Sequence, residues 1–105
     1  MEFVKVLKTK DIGNGEMKAV NFGNETVCII NLGGGFYAIN NICTHEGGPL
    51  NEGTLDNFEI ECPWHGARFD IRTGKVKAPP AEQSVSIYQV KIQGDEILIR
   101  KQDKN

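Results

Sequence analysis

The sequence predicts an all-β domain made of many short strands, and three observations support this prediction. Apolar side chains recur at every second position over much of the chain, rather than with the 3.6-residue period of a helix. Turn signals containing glycine separate these apolar runs. No window of a dozen residues has the apolar stripe of an amphipathic helix.

The strands are predicted in order along the chain. The first covers residues 3–8, the second residues 25–30 after a turn at 22–24, and the third residues 36–39 after three glycines at 33–35. Near the end, apolar side chains within residues 85–92 and 97–99 flank Gly94 and Asp95. Because these two turn residues tolerate the backbone of a tight turn, the pattern predicts a terminal hairpin.

The middle of the chain, from about residue 40 to residue 81, has a different composition. It is rich in glycine and proline, and it holds both histidines and two of the three cysteines. Loops of this kind on a rigid sheet commonly carry binding chemistry. We therefore expect the functional site in this segment.

Length and charge exclude several classes of function. A chain of 105 residues has room for one domain, and its formal net charge of −2 offers no basic excess to bind nucleic acid. No apolar run approaches the ~20 residues that cross a bilayer, so we expect no membrane segment and a cytoplasmic location. Three cysteines are an odd number, which favours metal binding over a disulfide framework.

The candidate ligands are two short motifs, each with one cysteine and one histidine. Cys43 and His45 are separated by one residue, sixteen residues follow, and Cys62 and His65 are separated by two. Sulfur and imidazole nitrogen suit zinc or an iron–sulfur centre, whereas Ca²⁺ and Mg²⁺ prefer oxygen. A structural zinc site remains an alternative, although this alternating order is unusual for zinc modules.

The motifs Cys43-Thr44-His45, with Gly47, and Cys62-Pro63-Trp64-His65-Gly66 resemble the two cluster-binding loops of Rieske-type ferredoxins. Residues 69–74, the proline-bearing residues 78–81 and the hairpin at 90–99 extend this resemblance over nearly the whole chain. It implies a Rieske-like antiparallel β-sandwich or barrel base carrying a small cluster-binding subdomain of two loops. Residues 1–105 would form this single domain, with the subdomain at about 40–81.

The resemblance also implies the cofactor, one [2Fe–2S] cluster per chain. Cys43 and Cys62 would bind one iron, and His45 and His65 would bind the other. Two neutral imidazoles in place of two thiolates leave less negative charge on the cluster, which makes adding an electron easier. The histidine-bound iron would therefore receive the electron, and the two imidazoles would form its exit.

Four positions separate this chain from the high-potential members of the family. Gly48 and Trp64 stand where those relatives have a cysteine pair that cross-links the loops. Ala67 and Phe69 stand where a serine and a tyrosine donate hydroxyl hydrogen bonds to cluster sulfurs. Two missing donors of ~1 kcal/mol each lower the potential by roughly 85 mV. We therefore expect a potential near the low end of the Rieske range, about −150 mV.

By this resemblance, the chain is a soluble one-electron carrier of the oxygenase-associated type, and not an enzyme. It would pass electrons from a flavin-dependent ferredoxin reductase to a terminal oxygenase that hydroxylates aromatic rings. Two alternatives stay open: the small Rieske subunit of a nitrite-reductase-like complex, and a zinc-stabilised binding module.

Several other residues have simpler interpretations. We interpret Cys28 as a core thiol of a strand. A second group could cover the cluster and exclude water, or merely fill the core: Pro49, Leu50, Trp64 and Pro79. A third group could form an acidic docking face, although ordinary solvated surface explains it equally well: Glu46, Glu52, Glu59 and Glu61.

Overall fold

The computed structural model describes residues 2–44, 47–64, 66–79, 81 and 83–102. Within these ranges the chain forms ten strands and two short 3-10 turns, at Thr9–Asp11 and Leu50–Glu52, and no α-helix. All strand pairs are antiparallel. The prediction of an all-β antiparallel fold is confirmed.

The strands form three sheets. The terminal sheet has the order β1-β10-β9, the central sheet β2-β3-β4 and the small sheet β5-β6-β7-β8. The strands are β1 (Val4–Lys8), β2 (Met17–Phe22), β3 (Glu25–Leu32), β4 (Gly35–Asn40), β5 (Thr54–Asp56), β6 (Glu59–Glu61), β7 (Arg68–Asp70), β8 (Val76–Ala78), β9 (Tyr88–Gln93) and β10 (Glu96–Lys101).

Strand β3 is buried on both faces and connects the two halves of the core. Val27 and Ile29 belong to one apolar cluster, together with residues of the terminal sheet such as Ile97. Cys28 and Ile30 point the other way, into a cluster that includes residues of the small sheet. Because successive side chains of a strand alternate between faces, a strand covered on both faces needs an unbroken apolar run.

Tight turns set the register of two of the hairpins. Gly33 and Gly34 join β3 to β4 with φ values of 61° and 85°, the left-handed pair that a two-residue hairpin turn favours. At the end of the chain, Gly94 with φ 63° begins the predicted turn between β9 and β10. The predicted terminal hairpin therefore forms, with β9 beginning at Tyr88 rather than at Val85.

The base of the first ligand loop is anchored where β4 ends. The backbone N–H of Asn41 donates to the carbonyl of Thr26 at 2.8 Å, and the carbonyl of Asn41 accepts from Leu50 N–H at 2.8 Å. The buried Asn41 side chain also pairs with Asn51, donating to its Oδ1 at 2.8 Å and accepting from its N–H at 2.8 Å. These bonds close a loop that leaves the central sheet and returns to it.

The second ligand loop is the connection of a hairpin in the small sheet. Glu61 at the end of β6 pairs with Arg68 at the start of β7, and residues 62–67 lie between them. Neither of the two helical turns in the described ranges has the length or apolar character of a membrane-spanning helix.

Candidate metal centre

Two of the four predicted ligands, Cys43 and Cys62, are brought together in the core. Each is only 2% exposed, although nineteen positions separate them in the chain. Their thiols are close enough to hydrogen-bond with each other, and neither forms a disulfide. His45 and His65 lie outside the described residues, and among the described residues no group of three or more His, Cys, Asp or Glu side chains is arranged to hold a metal ion.

The first loop is held in shape by its own backbone. The N–H of Cys43 donates to the carbonyl of Gly48 at 2.9 Å, and the N–H of Gly47 donates to the carbonyl of Cys43 at 2.9 Å. Gly47 has a φ of 78°, a conformation that other residues adopt at a cost. An isolated bridge between Ile42 and Pro49 closes the loop. Cys43 is thus presented from a hydrogen-bonded turn.

The second loop presents Cys62 in a similar way. The N–H of Cys62 donates to the carbonyl of Ala67 at 2.7 Å, which closes the loop. The backbone N–H of Trp64 points at Cys62 Sγ at 3.4 Å. A donor aimed at a sulfur stabilises negative charge on it, as a thiolate ligand requires.

Burial raises the pKa of the Cys62 thiol; the Trp64 N–H opposes this shift and the neighbouring Cys43 thiol adds to it. The raised pKa favours the protonated form of Cys62, so a metal cation that binds this sulfur must displace a proton. Two convergent sulfurs, one with an N–H donor already in place, fit half of the ligand set of a [2Fe–2S] cluster.

Cys28 differs from these two cysteines. It is fully buried in the middle of β3, and burial raises its pKa to about 12. A thiol with that pKa, in the middle of a buried strand, is a small apolar core residue. The interpretation of Cys28 as a core thiol agrees with its position.

The residues predicted to lack hydrogen-bond donors line the same core. Ala67 and Phe69 are fully buried in the cluster that contains Cys43 and Cys62, and neither side chain carries a hydroxyl. Of the four residues considered as a cover, Leu50 is fully buried in this core, whereas Trp64 is 48% exposed.

The proline-bearing loop reaches the first ligand loop. Thr44 Oγ1 donates to the carbonyl of Gln83 at 2.7 Å, and Ala81 belongs to the core around the two cysteines. Pro80 lies outside the described residues.

Three acidic residues near the site form ion pairs with one arginine. No lysine or arginine occurs between residues 40 and 67, which include five acidic residues. Arg68 lies 2.9 Å from Asp56, 3.4 Å from Glu59 and 3.8 Å from Glu61. Two members of the predicted acidic face, Glu59 and Glu61, are thus part of an ion-pair network, and Glu46 lies outside the described residues.

The sequence analysis did not identify Asn41 and Asn51, which tie the first loop to the 3-10 turn after it. The available signal was the pair Asn40-Asn41 directly after a strand, since asparagine side chains often hydrogen-bond to nearby backbone in turns. Nothing in the sequence indicated that Asn51, ten positions later, would be the partner of Asn41.

Comparison with known proteins decides the family. The sequence profile of the Rieske [2Fe–2S] domain matches residues 2–89. The chain belongs to the Rieske [2Fe–2S] domain family. Membership implies a [2Fe–2S] cluster.

Rieske relatives match this chain over almost its full length. The ferredoxin component of biphenyl 2,3-dioxygenase from Rhodococcus jostii strain RHA1 is 37% identical over 99 residues, covering 94% of this chain and 92% of the relative. The ferredoxin of carbazole 1,9a-dioxygenase from Nocardioides aromaticivorans IC177 superposes with a TM-score of 0.92 at 34% identity, covering 97% of this chain and 100% of the other.

A third relative was solved as a complex of reduced oxygenase and oxidised ferredoxin in carbazole 1,9a-dioxygenase. Its matching chain has a TM-score of 0.91 at 31% identity, covering 97% of each chain. These Rieske relatives are electron carriers of dioxygenase systems and not catalytic subunits. The prediction of an oxygenase-associated Rieske ferredoxin, rather than an enzyme, is confirmed.

Proposed function

We propose that this Rieske ferredoxin carries one [2Fe–2S] cluster, bound by Cys43, His45, Cys62 and His65. It receives electrons from a flavin-dependent ferredoxin reductase and passes them to a terminal oxygenase that hydroxylates an aromatic ring. The observation that supports this most directly is the apposition of two buried thiols on two separate loops. The spacing of the two histidines, each within three residues of one of these cysteines, supports the rest of the ligand set.

When bound, the cluster supplies reversible one-electron chemistry, and the residues of this chain determine how readily an electron is accepted. Cys43 and Cys62 hold one side from a core that excludes water. The Trp64 N–H offsets negative charge on Cys62. Neutral imidazoles of His45 and His65 on the other side raise the potential above that of an all-cysteine centre.

Residues 1–105 act as one domain in this proposal, with residues 40–81 as its cluster-binding subdomain. The small sheet, Thr54 to Ala78, falls inside that segment, and the two ligand loops precede and interrupt it. We also place the protein in the cytoplasm, where a flavin-dependent reductase operates and where three unpaired cysteines remain reduced.

The decisive experiment is electron paramagnetic resonance of the anaerobically purified, dithionite-reduced protein, with iron and acid-labile sulfide determined on the same sample. We expect two irons and two sulfides per chain and an average g value clearly below that of all-cysteine [2Fe–2S] centres. Replacing one imidazole by a thiolate, in His45→Cys or His65→Cys, should move the average g value toward the all-cysteine value.

Other results would contradict particular parts of the proposal. An all-cysteine g value in the unmodified protein would remove both histidines from the ligand set. A colourless protein containing zinc would support the zinc-stabilised module instead. Stable co-purification with a larger reductase subunit, rather than migration of the free chain, would favour the nitrite-reductase-like alternative.

A further inference from the structure

Gly48 lies unusually close to the second ligand loop. A Cβ atom built on it would be 2.7 Å from Cys62 Sγ and 3.1 Å from both Cγ and Cδ2 of Trp64. Contacts to a Cβ below 3.0 Å essentially do not occur, so any side chain at this position would displace the ligand sulfur or the indole ring. The two ligand loops therefore meet at Gly48, which has no side chain.

The reason for glycine at position 48 is steric. Gly47 and Gly66 have φ values of 78° and 74°, which favour glycine whatever surrounds them. Gly48 is absent from the residues with positive φ, so its φ does not call for glycine. What it does not accept is volume on the side that faces Cys62 and Trp64.

Trp64 contacts the site in two ways. Its backbone N–H donates to Cys62 Sγ at 3.4 Å, and its ring packs on Gly48 of the opposite loop. The indole remains 48% exposed, so one part covers the junction of the loops while another faces water. Ile92, in β9, is exposed to a similar extent at 44% and lies outside both ligand loops.

We propose that Trp64 is a positioning residue that clamps the two ligand loops together, with Gly48 as the seat for its indole ring. The ring holds the second loop against the first and shields Cys62 Sγ from water on the side of the junction. This inference rests on the proposed role of Cys62 as a ligand. It adds a non-covalent contact that holds the two ligand loops together.

The first test measures the release of iron to a chelator from the reconstituted holoprotein, followed by visible absorbance. Trp64→Ala should release iron about tenfold faster, which corresponds to ~1.4 kcal/mol. Trp64→Phe, which keeps an aromatic ring on Gly48, should stay close to the unmodified protein. Ile92→Ala is the control, because it removes a similarly exposed apolar side chain from β9, outside both ligand loops.

The second test is a double-mutant cycle between positions 48 and 64. Gly48→Ala should also accelerate iron release, because its methyl group pushes on Cys62 Sγ and on the indole. In the double variant the clash with the indole is absent, so the combined effect should be smaller than the product of the single effects. Effects that multiply independently would mean that the two residues are not in functional contact.

The third test needs no variant to fold. Trp64 is the only tryptophan in the chain, so its fluorescence reports on this junction alone. In the holoprotein we expect strong quenching by the adjacent cluster and restricted access for acrylamide. Removal of iron should increase both the fluorescence intensity and the acrylamide quenching constant. An indole equally accessible in both forms would overturn the proposal.

The midpoint potential separates positioning from a role in partner binding alone. Water admitted to a cluster sulfur stabilises the more negative reduced state, so Trp64→Ala should raise the potential and Trp64→Phe should not. If Trp64→Ala keeps the unmodified potential and iron-release rate, the clamp is wrong, even if electron transfer to a partner falls. Each comparison starts from protein that already shows the electron paramagnetic resonance spectrum of a histidine-ligated cluster. If the unmodified protein lacks that spectrum, the proposed function is contradicted and not the clamp.

Discussion

Single side chains around the two cysteines determine the environment of the ligand sulfurs. Cys43, Cys62, Ala67 and Phe69 lie in one core with no hydroxyl contributed by positions 67 and 69. The donors that remain are backbone groups such as the Trp64 N–H. A hydroxyl introduced at one of these positions is therefore the smallest change that adds a hydrogen bond to a sulfur.

Phe69→Tyr should raise the midpoint potential by tens of millivolts. A hydrogen bond that strengthens by ~1 kcal/mol on reduction corresponds to about 40 mV for one electron. The measurement is a spectroelectrochemical titration of the purified protein. Phe22→Tyr is the matched control, because Phe22 packs on Tyr88 in the other half of the core. An unchanged or lower potential in folded Phe69→Tyr protein would refute this account.

The three cysteines should respond differently to replacement by serine. Cys28→Ser should retain the full iron content, and its free energy of unfolding should fall by ~1–3 kcal/mol because a hydroxyl is buried without an assigned partner. Cys43→Ser and Cys62→Ser should lose the normal cluster. Iron analysis and denaturant titration of all three variants check this. Loss of iron from Cys28→Ser with an intact fold would contradict its assignment to the core.

At the scale of elements, the turn between β7 and β8 is built around Asp70. This buried carboxylate accepts from Arg72 N–H at 2.8 Å, from its Nε at 3.2 Å and from its Nη2 at 3.0 Å. The guanidinium lies 4.2 Å from the centre of the Phe58 ring, which packs edge-on against Tyr37 of β4. The turn thus ties the small sheet to the central sheet.

A close approach of backbone to backbone also joins this turn to the segment that leads into β9. The N–H of Gly74 donates to the carbonyl of Asp70 at 2.7 Å, and its carbonyl accepts from Val85 N–H at 2.8 Å. A Cβ at position 74 would lie 2.0 Å from the carbonyl oxygen of Val85. Glycine is therefore required here both by φ, which is 79°, and by space.

Asp70→Asn should lower the free energy of unfolding at pH 7 by ~1–2 kcal/mol, since hydrogen bonds to a charged group are lost. This loss of free energy is set below the largest values known for charged hydrogen bonds, because Arg72 is half-exposed and water screens its charge. Hydrogen bonds from Arg72 lower the pKa of Asp70 in the folded protein. Its contribution is therefore complete above the unfolded-state pKa of about 3.9 and is lost as the pH falls through the folded value.

Denaturant titrations from pH 7 to pH 2 check this pH dependence. The difference between the unmodified protein and Asp70→Asn should shrink at the acidic end. Glu96→Gln is the control, because Glu96 forms an ion pair with Lys5 in which both partners are exposed and the expected contribution is ~0–1 kcal/mol. A difference that stays constant over the whole range would contradict the role given to the Asp70 carboxylate.

For the whole molecule, the core is divided between cofactor binding and fold. The cluster that includes Val27, Ile29 and Ile97 contains no predicted ligand, whereas the other surrounds both cysteines. The ligand loops are also closed by backbone hydrogen bonds that need no metal. We therefore expect most of the sheet structure to form without the cofactor.

Removal of iron under anaerobic, reducing conditions should bleach the visible absorbance and leave the far-ultraviolet circular dichroism of the sheets largely intact. The apoprotein should unfold at a lower temperature, because a ligand bound only by the native state stabilises it. Thermal unfolding of matched apo and holo samples checks both expectations. Collapse of the β-sheet signal on iron removal would show that the fold depends on the cofactor.

The strand predictions from the sequence succeeded where the apolar pattern is strong and failed where it is weak or too short. β1, β3, β4 and the terminal hairpin each had several apolar residues in alternation or in an unbroken run. β5 and β6 are three residues long with a single apolar residue each, too short for any period to be recognised. β2 was missed because Lys18, Ala19 and Asn21 dilute its pattern.

The sequence by itself determined the kind of chemistry, because sulfur and imidazole donors and their spacing are properties of a few neighbouring residues. It also determined the long strands and their glycine turns, which depend on local backbone preferences. Only the tertiary structure decided that Cys43 and Cys62 meet, that Asn41 pairs with Asn51, and that Gly48 is bare because Cys62 and Trp64 approach it. Each of these contacts joins residues ten to nineteen positions apart, and such a contact arises from packing across the core, which no local pattern encodes.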